Sequence, residues 1–214
     1  GMMKEEGYEV LARAKAEGID AHGEMECNVL FMTEERSKEQ GIYNLGFKGF
    51  RDKKKSWAAI NDEVVDFCII EHAPHTLKEI EPALKNAWEA HTGPMGSQEF
   101  LPLMLTAVND GLITLNHLVK MTSENSAKFF KIWPKKGAMQ TGSDADLTII
   151  DLNKEDEIKT ENMLSKCGYT PWNGYKVKGM PTHTIVRGKV IMDDNKVIGE
   201  AGFGEFVPGP GMKK

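Results

Sequence analysis

The sequence predicts an α/β fold, and three observations predict it. Residues 64–70, Val64-Val65-Asp66-Phe67-Cys68-Ile69-Ile70, form an apolar run of β-branched and aromatic residues whose length suits a fully buried parallel strand. Helical spacing occurs on both sides of that run. After Lys135 the texture changes to short runs rich in Val, Ile and Thr, set apart by turn residues, which is the pattern of β-strands.

Each element follows from a local signal. Tyr8, Leu11, Ala12 and Ala14 recur at helical spacing, and Gly18 supplies a C-terminal stop. A strand is expected at 20–27, where His22, Glu24 and Glu26 share one face because strand side chains alternate. Such a polar face fits either a barrel lumen beside a site or an exposed edge strand. Residues 33–62 read as a short helix, a loop carrying Gly46 and Gly49, and a second helix around Trp57 and Ile60. The run at 64–70 then ends abruptly in Glu71, His72 and His75. In a β/α barrel that end of a strand is where catalytic groups sit.

Further on, Gly93-Pro94-Met95-Gly96 is a loop leading into a helix that begins near Glu99, with Pro102 tolerated only in its first turn. Thr114 and Ser123 are the expected N-caps of helices at 115–121 and 124–130, and Pro134 closes the helical region. Strands are expected at 147–150, 184–192 and 196–198, the last two joined by a turn at Asp193-Asp194-Asn195. Residues 153–181 show no period and read as a long excursion. The expected organisation is an α/β part at 1–134 and a small β part at 135–214, with no internal repeat.

Composition narrows the function classes. The chain is 40% hydrophobic and 28% charged, so a core can be buried and disorder is not the default. Its 27 basic residues are scattered within a net charge of −5, and the tightest run is Lys53-Lys54-Lys55. That is a solvated helix face, and no nucleic-acid partner is expected. Cys27, Cys68 and Cys167 are widely spaced without a CxxC pattern, which fits a reducing cytoplasm. The N-terminal stretch has no apolar segment, so neither a signal peptide nor a membrane span is expected.

Three stretches carry a resemblance. Glu71-His72-Ala73-Pro74-His75-Thr76 resembles the Asp-His-Ala-Pro-His-Thr signature that closes the eighth barrel strand of dihydroorotases, in the amidohydrolase superfamily. Residues 142–151, Gly-Ser-Asp-Ala-Asp-Leu-Thr-Ile-Ile-Asp, are similar to that superfamily's return from barrel to β-sandwich. Residues 165–188, from Ser-Lys-Cys-Gly-Tyr-Thr-Pro-Trp to Ile-Val-Arg-Gly, resemble the dihydroorotase C-terminal tail. Together with the 93–96 loop the resemblance covers nearly the whole chain.

The resemblance implies the C-terminal part of a (β/α)8 TIM-type barrel plus part of a small β-sandwich. Strands at 20–27 and 64–70 stand for the seventh and eighth of the barrel. It implies hydrolysis of a small cyclic amide, of the pyrimidine-biosynthesis type, with zinc polarising the carbonyl and activating water. Glu71 takes the place of the aspartate that touches the metal and shuttles the proton, with one methylene more. His75 matches the histidine that holds the substrate carboxylate, and Gly96 the loop whose backbone reaches the substrate. His72 reads as a structural hydrogen-bonder, and His91, His117 and His183 as incidental.

Departures from the family pattern are also legible. Cys27-Asn28-Val29-Leu30 stands where the family has Pro-His-His-Leu, and Phe47-Lys48-Gly49-Phe50-Arg51 where it has Asn-Pro-Pro-Leu-Arg. The family's remaining metal ligands belong to strands upstream of this chain, so zinc is not expected to be held stoichiometrically by the chain alone. A self-contained site from His22, Glu24, Glu26 and Glu71 is the alternative. Two parallel strands cannot close a barrel, so a homo-oligomer or a complementary subunit is expected as partner.

Overall fold

The computed structural model describes residues 5–41, 52–89, 91, 93 and 95–211. The expected departures at 47–51, Gly46 and Pro94 lie outside the described residues. The elements, in order, are α1 (Glu5–Ala16), β1 (Glu24–Glu26), α2 (Cys27–Phe31), α3 (Glu34–Gln40), α4 (Lys53–Asn61), β2 (Phe67–Ile69) and α5 (Leu77–Ile80). Then come α6 (Phe100–Asn109), α7 (Leu115–Val119), α8 (Asn125–Phe129), β3 (Leu147–Glu157), β4 (Lys176–Val186), β5 (Lys189–Asp193) and β6 (Lys196–Val197).

The first helix ends as its sequence predicts. Gly18 N–H donates to the Lys15 carbonyl and Ile19 N–H to the Ala14 carbonyl, the paired bonds that close a helix C-terminus. Its Tyr8 is buried, with Oη 3.2 Å from Ser56 Oγ on α4.

β1 and β2 pair in parallel, with Glu24 opposite Phe67, Met25 opposite Cys68 and Glu26 opposite Ile69. Both strands are shorter than expected, and side-chain hydrogen bonds are the reason. The Asp66 carboxylate accepts Gly23 N–H at 2.8 Å and holds Lys15 Nζ at 2.8 Å, tying down the entry to both strands. At the other end the Glu26 carboxylate accepts Asn28 N–H at 3.2 Å and caps α2, which stops the ladder. His22 therefore precedes the strand, where it pairs with Asp20 and packs edge-on to Phe129. The expected polar face is only partly assembled: Glu24 and Glu26 are two apart in β1 but differ in burial, Glu24 exposed and Glu26 buried, and His22 lies before the strand.

α6 is the central element. Leu103, Met104, Leu105 and Ala107 are all fully buried, and Pro102 sits in the first turn as the sequence requires. One side joins the apolar cluster of Met25, Leu30, Cys68 and Trp172; the other meets Val177 and Met180 of β4. Asn109 Nδ2 fastens that second contact by donating to the carbonyls of Leu152 (3.1 Å) and Lys178 (2.9 Å).

The two helices expected at 115–121 and 124–130 are one continuous helical stretch. α7 is capped by Thr114, whose Oγ1 accepts His117 N–H at 3.2 Å, and runs into α8 through a π-helical turn at Lys120–Glu124. The expected cap Ser123 lies inside that turn. Fully buried Met121 carries the apolar face across the join, which is why the helix does not break there.

The last part is a four-stranded antiparallel sheet in the order β3-β4-β5-β6. The strand expected at 184–192 is two strands folded at Arg187-Gly188, both at positive φ (47° and 80°). The turn expected at Asp194 and Asn195 is present, at φ 41° and 66°. The aperiodic stretch holds more strand than its pattern shows, since β3 runs on to Glu157 and β4 starts at Lys176. Register shifts at Ile149/Ile150 and Asp151/Glu155 break the alternation that would have revealed them. Among the described residues, no helix is long and apolar enough to cross a membrane.

Candidate active site

Because β1 and β2 are parallel, their C-terminal ends open on the same side, and each delivers polar groups there. β1 ends in Glu26, followed by Asn28 at the start of α2. β2 is followed by Ile70, Glu71 and His72. Gly93 and Gly96 lie against the residues that follow the second strand. A Cβ on Gly93 would stand 1.9 Å from the Ala73 carbonyl oxygen, and one on Gly96 2.7 Å from Ile70 Cδ1. With its φ of +154°, position 96 favours glycine, because a side chain there would strain the backbone.

Of the sequence-predicted site residues, Glu71 is exposed just past the end of β2 and His72 is held by the 93–96 loop. Gly96 and Ser97 N–H both donate to His72 Nδ1, at 3.3 and 3.4 Å. That leaves the ring proton on Nε2, so this exposed imidazole offers a donor at the strand end. His75 is half-buried on the approach to α5. Its ring lies 5.2 Å from that of His91, and its Nδ1 is 3.9 Å from Glu79 Oε2. Glu79 serves Thr76, whose hydroxyl and N–H both donate to Oε2 at 2.7 Å, and these bonds hold its carboxyl below the usual carboxylate range.

Sequence reasoning missed the buried side of the site. Asn28 is fully buried and joins three distant segments. Its Nδ2 donates to Glu26 Oε1 at 2.6 Å and to the Met95 carbonyl at 3.1 Å, while its Oδ1 accepts the indole N–H of Trp172 at 2.9 Å. Nearby, Thr170 Oγ1 donates to buried Glu99 Oε1 at 2.5 Å, and Trp172 N–H donates to Thr170 Oγ1 at 3.1 Å. Arg36 clamps the outside of the same tail. Its guanidinium lies 5.3 Å from the Trp172 ring and 5.1 Å from that of Tyr175, and Nε donates to the Pro171 carbonyl at 3.1 Å.

Glu26 is the electrostatic anomaly of the site. Burial pushes its carboxyl up to about 7, the charge of Glu71 adds to the rise, and the bonds from Asn28 only partly oppose it. A carboxyl near neutrality can carry or release a proton at working pH, which a solvated one cannot.

Among the described residues no three of His, Cys, Asp and Glu converge on one point. The alternative group of His22, Glu24, Glu26 and Glu71 fails because His22 lies at the other end of the strand and Glu26 is turned into the Asn28 network. A cavity of about 520 Å³ begins beside the site at Ser97 and Glu99 and runs to Val177 and Met180. Another of about 810 Å³ is lined by Arg36, Trp57 and Tyr175, and one of about 510 Å³ by His22, Phe67 and Phe129.

Comparison with known proteins places this arrangement. A model described as the amidohydrolase family matches residues 72–191. The chain is 35% identical over 206 residues to the L-hydantoinase of Paenarthrobacter aurescens, covering 94% of this chain and 45% of that protein. It is 37% identical over 174 residues to a dihydroorotase of Pyrococcus horikoshii, covering 80% and 39% respectively. Among solved structures, L-hydantoinase from Arthrobacter aurescens superposes with a TM-score of 0.90 at 34% identity, over 96% of this chain and 46% of that one. The chain therefore spans less than half the length of these relatives.

Proposed function

The chain belongs to the amidohydrolase family, and on that premise we propose that it is the strand-seven-to-C-terminus portion of a dihydroorotase-like hydrolase of small cyclic amides. The observation that carries the proposal is the common C-terminal end of β1 and β2. There Glu71 stands two residues past the end of β2, and Gly93 and Gly96 lie close against Ala73 and Ile70. In this reading Glu71 takes and returns the proton of the ring-opening step and is this chain's contribution to the metal. His75 holds the anionic edge of the substrate, and the turn at Gly96 faces the ring. Zinc, when the rest of its ligands are present, supplies Lewis acidity and an activated water.

Partners follow from the same reading. A second copy of the chain or a complementary subunit carrying the first six strands covers the open barrel edge, and the expected compartment is the cytoplasm. A hydantoin ring is the second substrate reading, favoured because the L-hydantoinase relative matches more of this chain than the dihydroorotase does. A silent assembly partner is the reading from another class, favoured by the lack of a three-ligand group among the described residues.

Two results are expected. The chain purified alone, without chelator, should hold well under one zinc per chain by elemental analysis. Near-stoichiometric zinc would restore the site built on His22, Glu24 and Glu26. The second test is ring opening of dihydroorotate and of hydantoins by the chain, alone and co-expressed with the first six strands of the related L-hydantoinase. We expect no turnover alone, and turnover in the co-assembled form that Glu71→Gln lowers about a hundredfold or more. An assembled, metal-loaded barrel without turnover would favour the silent partner instead.

A further inference from the structure

We propose that Trp172 and Asn28 are positioning residues, a clasp through which the C-terminal tail sets the turn at Met95 and Gly96 and, through it, the tautomer of His72. The proposal rests on the reading of that turn as substrate-facing.

The side-chain amide of Asn28 has one acceptor end and one donor end. Trp172 can only donate through its indole nitrogen, so it selects which end faces the tail. With Oδ1 committed to the indole, Nδ2 must face the other way, toward Glu26 Oε1 and the Met95 carbonyl. Fixing the Met95 carbonyl fixes the following peptide, and the N–H groups of Gly96 and Ser97 then point at His72 Nδ1. Two N–H donors on one ring nitrogen exclude a proton there. Each link is buried or held by the one before it, and Asn28 and Trp172 are both fully buried.

A flipped Asn28 amide would set Oδ1 against the Met95 carbonyl, acceptor against acceptor, and Nδ2 against the indole N–H, donor against donor. The indole therefore reinforces an orientation that the Met95 carbonyl also favours. Arg36, stacked on the outer face of the same ring, holds the tail in place for it.

The discriminating variant is Trp172→Phe, which keeps an aromatic ring in the core and removes the donor. Amide hydrogen exchange at Gly96 and Ser97 should accelerate about tenfold, as expected for loss of one buried hydrogen bond. The ¹⁵N signature of the His72 ring should move from a single Nε2–H tautomer toward a mixture. Asn28→Asp keeps the acceptor for the indole but loses the donor to Met95, and should give the same two changes. It also carries the test if the phenylalanine variant does not fold. Unchanged exchange at Gly96 and an unchanged His72 tautomer, with only a lowered melting temperature, would reduce Trp172 to a packing residue and overturn the clasp. These readouts need no substrate, so the clasp and the substrate reading fail separately. A loosened turn with unaltered KM for dihydroorotate and hydantoins in a completed barrel would overturn the positioning role alone.

Discussion

Replacing Trp172 by alanine is expected to destabilise the chain by about 3–5 kcal/mol, the range for truncating a fully buried tryptophan. The indole packs edge-on to Phe31 at 6.4 Å and to Tyr175 at 5.3 Å, and carries the Arg36 guanidinium on its face. Truncation opens a cavity in the cluster that also contains Leu30 and Met104, and it orphans Asn28 Oδ1 in a site without water access. A domain of ordinary stability has about 5–15 kcal/mol in total, so most of the margin would go. Urea unfolding followed by circular dichroism measures the loss. A fall of under 1 kcal/mol would mean that the tail is not part of the core.

The second large effect is on pH dependence. Glu26 is raised by burial from 4.5 to about 7 in the folded chain. A folded-state value above the unfolded one means that the native state binds more protons between those limits, so stability falls as pH rises through that window. The difference of about 2.5 units corresponds to about 3 kcal/mol, present below pH 4.5 and lost by pH 8. Glutamine at 26 keeps an acceptor for Asn28 and cannot ionise. Glu26→Gln should therefore match the parent near pH 4.5 and exceed it by about 2–3 kcal/mol at pH 8. Urea unfolding at the two pH values tests this. A parent more stable than the variant at pH 8 would show that the ionised carboxylate is the favoured form and that the Asn28 bonds outweigh its burial.

These two effects share a cause. Glu26 and Trp172 bond to opposite ends of the same buried amide. The expected sign of each effect comes from burial, which makes the lost acceptor costly in one case and the charge costly in the other.

What the sequence determined by itself is local. Helix α1 and its stop at Gly18, the Thr114 cap, the tolerated Pro102 and the hairpin at Asp194 and Asn195 all depend on bonds within a few residues. The strand core at Phe67, Cys68 and Ile69 was legible from its apolar run, and the signature at Glu71 through Thr76 from likeness to a family motif. The tertiary structure decided everything that needed two distant segments. Strand ends at Gly23 and Glu26 were set by the Asp66 and Glu26 carboxylates, which no periodicity encodes. β3 and β4 hid their length because bulges shift the pairing and destroy the alternation a reader looks for. Asn28 and Trp172 lie 144 residues apart in the chain, and in a sequence each is an ordinary residue. Only folding brings an amide with two different ends between a carboxyl, a carbonyl and an indole, where burial turns the choice of hydrogen-bond partner into a structural constraint.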